Sequence, residues 1–103
     1  MADLELEYRL DGDVAEVAVS GEIDVATAPQ LREMLHGLVH GGARCIVLDC
    51  RSLEFLDSSG IGLLAATRKR LGVGGELVVA SPPIHVRKVL ELTGVADELV
   101  LTP

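Results

Sequence analysis

The chain has 103 residues, the length of one ordinary domain, and we expect a single domain over residues 1–103. Hydrophobic residues make up 49% and charged residues 24%, which is a globular composition whose core must be built from aliphatic side chains, since aromatic residues are only 2%. The net charge of −7 argues against nucleic acid and anionic membranes as partners, because binding to phosphate needs clustered cations.

The N-terminal segment predicts an antiparallel hairpin. Apolar and charged residues alternate over residues 4–10, which is typical of a half-buried strand. Asp11 and Gly12 then predict a tight turn, because glycine tolerates the positive φ that a type I′ turn needs. The next strand, over residues 14–19, carries Ala15, Val17 and Val19 on one face.

A helix follows the hairpin. Thr27 and Gln30 fit a capping box, and Pro29 lies in the first turn, where a missing N–H costs little. Gly41 and Gly42 end the helix. The apolar residues between these signals follow helical spacing: Leu31, Met34, Leu35, Leu38 and Val39.

Residues 45–50 form an apolar run broken only by Asp49, which is typical of a strand covered on both faces. Both cysteines lie in this run, and in a strand Cys45 and Cys50 would be about 16 Å apart at roughly 3.3 Å per residue, too far for a disulfide. We therefore expect reduced structural thiols. Reduced thiols, the lack of a membrane-length apolar run and an N-terminus unlike a signal peptide together predict a cytoplasmic protein.

The second half of the chain alternates helix and strand. We predict a helix over residues 58–71, a strand over 76–80, a third helix opened by Ser81 as its cap and ended at Gly94, and a last edge strand over 98–101. The order β-β-α-β-α-β-α-β predicts an α/β fold. Its sheet is mixed but mostly parallel, with an N-terminal antiparallel hairpin and helices packed on the sheet.

The segment from Phe55 to Gly62 is chemically the most suggestive. It lies at the carboxyl end of a strand, where functional loops gather in α/β sheets. Ser58 or Ser59 is predicted to cap the next helix, and a phosphate there would meet free N–H groups and the positive end of the helix dipole. Gly60 and Gly62 would let another protein approach the first turn. From the residues alone, a plain capping serine and a modified or catalytic serine both stay open.

Other catalytic or metal-binding arrangements fit the sequence poorly. A hydrolase nucleophile elbow around Ser58 would need glycine at position 56, which is Leu56. His36 and His40 lie one helical turn apart, but no third ligand is evident, so we interpret them as surface residues. We predict that the protein is not an enzyme and uses no cofactor or metal. One further possibility is a cluster of three carboxylates at one end of the sheet: Asp24, Asp49 and Asp57.

Six segments, in order and without large insertions, match one known pattern. The most specific is the Asp-Ser-Ser-Gly-Ile-Gly run within residues 55–62. The others are residues 20–24, 27–32, 46–49, 75–82 and 86–94. On these segments the chain resembles the STAS domain of anti-sigma factor antagonists, and the resemblance covers nearly the whole chain.

The resemblance implies a function and a site. Such antagonists bind an anti-sigma factor that is also a serine kinase, and binding frees a sigma factor for bacterial transcription. The kinase phosphorylates the first serine of the motif, Ser58 here, which releases the antagonist, and a serine phosphatase restores it. We expect a monomer or a weak dimer. The resemblance places these residues on the docking face: Asp24, Asp57, Ser58, Ser59, Gly60, Ile61 and Gly62.

The resemblance leaves two alternatives open. One is a non-catalytic STAS scaffold, against which the serine at position 58 weighs; the other is a STAS module that senses a nucleotide or another small molecule through the same loop. Members of the family commonly continue into a further amphipathic helix after the last strand. Because this sequence stops at Pro103, the resemblance predicts an exposed sheet edge near Leu99 and Leu101.

Overall fold

The computed structural model describes residues 3–103, and the predicted order of strands and helices is confirmed. One short 3-10 helix, Val95–Glu98, is added before the last strand. The strands are β1 (Leu4–Asp11), β2 (Val14–Ile23), β3 (Cys45–Leu56), β4 (Glu76–Ala80) and β5 (Val100–Leu101). The helices are α1 (Ala28–His40), α2 (Ser58–Leu71) and α3 (Ile84–Leu92).

The strands lie in the order in which they occur in the chain, β1-β2-β3-β4-β5. β1 and β2 are antiparallel, and the later neighbours are parallel. Each crossover therefore advances by one strand in the same direction, and right-handed crossovers then place all three helices on one face. On that face Ile46 and Leu48 are buried, whereas Val47 on the other face is only half-buried. The prediction that this strand is covered on both faces is wrong.

Both ends of the described chain lie on the side of the sheet where the parallel strands have their carboxyl ends. Leu4 is the register partner of Gly21 near the end of β2, and β5 ends at Leu101 after running parallel to β4. The hairpin turn and the loop before β4 lie on the opposite side, where the parallel strands begin. This loop contains the fully exposed Val73. The loops that follow the carboxyl ends of the parallel strands therefore lie on the same side of the sheet as both ends of the described chain.

The hairpin turn is of a different type from the one predicted. Gly12 has φ +62°, and among residues 3–103 the only non-glycine residue with positive φ is Ser81. Asp13, the second residue of the two-residue loop, therefore has negative φ. A type I′ turn needs positive φ at both positions, whereas glycine at the first position alone fits type II′. The hairpin prediction is confirmed and the turn type is corrected.

The capping box predicted for α1 is absent, although Thr27 is the residue before the helix. The Thr27 hydroxyl donates to the carbonyl of Glu22 at 2.8 Å, and the Gln30 amide donates to the carbonyl of Leu4 at 3.1 Å. The two side chains satisfy strand carbonyls rather than helix donors. They tie the start of α1 to the ends of β2 and β1.

Ser81 does not cap α3, which begins three residues later with Pro83 as its capping position. Its hydroxyl instead donates to the carbonyl of Pro103 at 2.9 Å, and its N–H donates to the Thr102 hydroxyl at 3.1 Å. The side chains of Leu99 and Leu101 are half-buried against the core. β5 is thus a sheet edge of only two residues, and these contacts hold it in place.

Cys50 is deeply buried, and burial, followed by the charge of Asp49, raises the pKa of its thiol to about 12. At pH 8 roughly one Cys50 thiol in ten thousand is ionised, and only the thiolate is reactive. We expect iodoacetamide to leave Cys50 unmodified in the folded protein and to modify it in urea, as read by peptide mass spectrometry. Alkylation of native Cys50 as fast as in urea would contradict this.

No helix in the described part of the chain is both long enough and apolar enough to cross a bilayer.

Candidate functional site

The carboxyl ends of β2 and β3 lie side by side. Their last residues, Ile23 and Leu56, are register partners, and the N–H of Asp57 donates to the carbonyl of Ile23 at 3.2 Å. Asp24 and Asp57 are the residues that follow. They therefore open two neighbouring loops at one edge of the sheet.

Asp49 does not join these two carboxylates. It lies in the middle of β3, opposite Ala18 and Ala80, because β3 runs on to Leu56. The possibility of a cluster of these three carboxylates is therefore not realised. Among residues 3–103 no three His, Cys, Asp or Glu side chains are grouped so that they would hold a metal ion.

The residue that caps α2 is Asp57. Its carboxylate oxygen Oδ1 accepts a hydrogen bond from the N–H of Ser59 at 2.8 Å, so the prediction of a serine cap is wrong. Ser58 is the first residue of the helix, and its side chain is exposed. The aspartate thus frees the Ser58 hydroxyl from a capping role and leaves it at the positive end of the helix dipole.

The two glycines of the first turns face opposite ways. Gly60 is buried, and a Cβ atom there would contact the side chain of Leu56 and lie 2.8 Å from Cγ2 of Ile23. Gly62 is exposed, and a Cβ atom there would meet nothing within 4 Å. Gly60 thus lets the helix pack onto the strand ends, while Gly62 leaves the surface open. Ser59 and Ile61, the neighbours of Gly60 in the chain, are both half-buried.

Asp24 organises the neighbouring loop. Its Oδ1 accepts hydrogen bonds from the N–H groups of Ala26 at 2.9 Å and Thr27 at 3.0 Å. The Asp24 N–H in turn donates to the Thr27 hydroxyl at 2.9 Å. This turn projects Val25 outward, with 76% of its surface exposed.

Three exposed apolar side chains, Val25, Phe55 and Ile84, lie at the carboxyl ends of β2, β3 and β4; we call them the apolar rim. His85 Nε2 lies 2.7 Å from the carbonyl oxygen of Glu54 and so joins the start of α3 to the end of β3. Neither Val25 nor Ile84 was among the residues predicted for the site. For Val25 the signal was an apolar residue in the loop directly after a strand, and for Ile84 an apolar residue at the first position of a helix.

The cap leads to a stability prediction. We expect Asp57→Ala to lower the free energy of unfolding by about 1 kcal/mol, because the N–H of Ser59 loses its acceptor. Asp57→Asn should lose much less, since an asparagine oxygen accepts the same bond. Urea unfolding of the two variants measures the difference, and equal losses would contradict the capping role.

Comparisons with known proteins agree with this architecture. The model of the STAS domain matches residues 5–103. An anti-sigma-B factor antagonist from Staphylococcus aureus is 32% identical over 96 residues, which cover 92% of this chain and 89% of the relative.

Two solved structures share the fold over 98% of this chain. An anti-sigma factor antagonist from Mycobacterium paratuberculosis is 33% identical with a TM-score of 0.90, and 86% of its chain is covered. The anti-sigma factor antagonist SpoIIAA in its unphosphorylated form is 26% identical with a TM-score of 0.81, and 89% of its chain is covered. The match to the domain model, the relatives and the shared fold show that this chain belongs to the STAS domain family, among the anti-sigma factor antagonists.

Proposed function

We propose that this protein binds an anti-sigma factor that is also a serine kinase, and that phosphorylation of Ser58 ends the binding. The observation that carries the proposal is the exposed Ser58 side chain at the start of α2, with the cap supplied by Asp57. A kinase can reach such a hydroxyl without unfolding the helix. SpoIIAA, a relative of 26% identity, is described in an unphosphorylated form, which supports regulation by phosphate.

The proposed docking face comprises Asp24, the residues 57–62 and the apolar rim. Val25 follows Asp24 directly and Phe55 lies two residues before Asp57, so each carboxylate has an exposed apolar residue close to it in the sequence. Burial of apolar side chains is a usual source of affinity in protein interfaces, so the apolar rim would contribute to binding. Gly60 is buried, so it is the residue of the predicted docking face that a partner would reach least easily. Its docking role stays a prediction.

The switch follows from local charge. A phosphate on Ser58 adds about −1.5 to −2 charges at pH 7, next to Asp57 and on a chain with a net charge of −7. The start of α2 can accept this anion, because its first N–H groups and its dipole favour negative charge. The fold therefore tolerates the phosphate, whereas an interface packed around a bare hydroxyl does not. A serine phosphatase would restore binding, and we place the cycle in the cytoplasm.

The test is phosphate transfer by the anti-sigma factor kinase of the source organism with ATP. We expect one phosphate per chain, placed on Ser58 by peptide mass spectrometry. Ser58→Ala should abolish the transfer, and the matched control Ser59→Ala should keep it. A phosphate found only on Ser59 or elsewhere would overturn the site assignment.

A further inference from the structure

The outer edge of β1 carries unpaired backbone groups. The N–H of Glu22 donates to the carbonyl of Asp3 at 2.9 Å. Asp3 and every second residue after it, up to Asp11, therefore direct their backbone groups toward β2. In an antiparallel pair the residues between them direct N–H and C=O away from the partner strand. Of these, the Leu4 carbonyl accepts from Gln30. The remaining outward groups are the N–H of Leu4 and both backbone groups of Leu6, Tyr8 and Leu10.

The side chains of the same residues border a groove of about 620 Å³ between β1 and α1. Tyr8 and Leu10 are each 57% exposed although they lie on the face that carries the helices. From α1 the groove is lined by apolar Met34 and Leu38. An apolar strip next to unpaired strand groups is a surface suited to adding another strand.

We propose that this edge pairs with the β1 strand of a second copy of the chain. An antiparallel β1–β1 ladder centred on Tyr8 brings Tyr8 opposite its own copy and Leu6 opposite Leu10. All these residues have outward backbone groups, so they form the hydrogen-bonded pairs of the ladder. The two sheets then continue as one, and the exposed Tyr8 and Leu10 side chains are covered along the shared edge.

Charge and strand overlap together favour this register, in which Glu7 and Arg9 make β1 complementary to itself. On the opposite face of the sheet, the Tyr8-centred ladder places Glu7 of each copy opposite Arg9 of the other, which is a favourable cross-strand pair occurring twice. Ladders centred on Glu7 or Arg9 would instead place that residue opposite its own copy. A ladder centred on Leu6 would place Glu5 opposite Glu7. A ladder centred on Leu10 would pair Arg9 with Asp11 but would overlap β1 over only residues 9–11. At the ends of the Tyr8-centred ladder Glu5 meets Asp11, so we expect a weak dimer.

The experiment is sedimentation equilibrium over a range of protein concentrations. We expect the apparent mass to rise from one chain toward two. Glu7→Arg and Arg9→Glu should each raise the dimer dissociation constant by about 30-fold, because each creates two like-charge pairs. Equimolar mixing of the two variants should restore association, since every Glu7–Arg9 position then pairs opposite charges.

The controls separate the local pairs from overall charge. Glu98→Arg makes the same charge change as Glu7→Arg on the 3-10 helix, away from the β1 edge, and should not weaken the dimer. Glu16→Gln removes the negative charge of the intrachain Arg9–Glu16 ion pair, and a dimer dissociation constant unchanged by it shows that the effect of the Arg9 variant does not come from that pair. A single-chain mass at all concentrations would overturn the proposal. So would dimers that both charge variants leave unchanged, or variants that stay apart when mixed.

Discussion

Ser58→Asp is expected to weaken binding to the anti-sigma factor roughly 30-fold, while Ser58→Ala stays within about twofold of the native affinity. Aspartate adds one negative charge where phosphate adds nearly two, beside Asp57 and on a face that already carries Asp24. The full phosphate should cost about 3–4 kcal/mol of binding free energy, which is several-hundred-fold in affinity. Titration calorimetry with the purified kinase measures all three forms.

Folding stability provides the control for this comparison. A negative charge in the first turn of α2 is favourable toward the helix dipole, so Ser58→Asp should not lower the melting temperature. Weaker binding with unchanged stability would then belong to the interface. Equal affinities of the Asp and Ala variants would contradict the charge argument, and a lowered melting temperature would contradict the assigned position of Ser58.

Gly60→Ala is expected to lower the free energy of unfolding by about 2 kcal/mol. The new methyl group would overlap the buried side chain of Leu56 and lie 2.8 Å from Cγ2 of Ile23. Adding a methyl to a packed site typically costs about 1–3 kcal/mol, which exceeds the gain in helix propensity over glycine. Urea unfolding monitored by circular dichroism measures the loss, and unchanged stability would contradict the packing role of Gly60.

Gly62→Ala is the matched control, two residues further along the same helix. A methyl group there meets nothing within 4 Å, so the variant should gain about 0.5–1 kcal/mol from helix propensity. The same methyl lies on the proposed docking face and should weaken partner binding. A stabilised variant with unchanged affinity would remove Gly62 from that face.

Periodicity and glycine signals predicted most of the elements, and residues 58–71 and 76–80 have the predicted bounds. β3 was predicted to end at Cys50 but continues to Leu56. Its pairing with β2 shifts register between Ala18 and Ser20 and again between Gly21 and Glu22. The buried residues then follow at intervals of three (Cys50, Leu53, Leu56), so the strand's alternation is lost from the sequence.

The open face of the sheet was not predictable from β3 alone. An apolar run such as residues 45–50 is equally compatible with one covered face or two, and strand order decides between them. The prediction of the residue that caps α2 was limited in a similar way, because several neighbouring residues could fill that role. Asp57, Ser58 and Ser59 are all good capping residues, and no pattern ranks them. The sequence placed Asp24 and Asp57 at one end of the sheet only together with Asp49, and the strand register shows that Asp24 and Asp57 are neighbours without it.

The placement of both ends of the described chain beside the Ser58 edge affects how the protein should be immobilised. An affinity tag at either terminus would draw the proposed docking face toward a sensor matrix and hinder the partner sterically. A linker attached at Val73, fully exposed at the far edge of the sheet, would present that face to solution. Association rates recorded with the two attachments therefore report how close the partner comes to the strand ends.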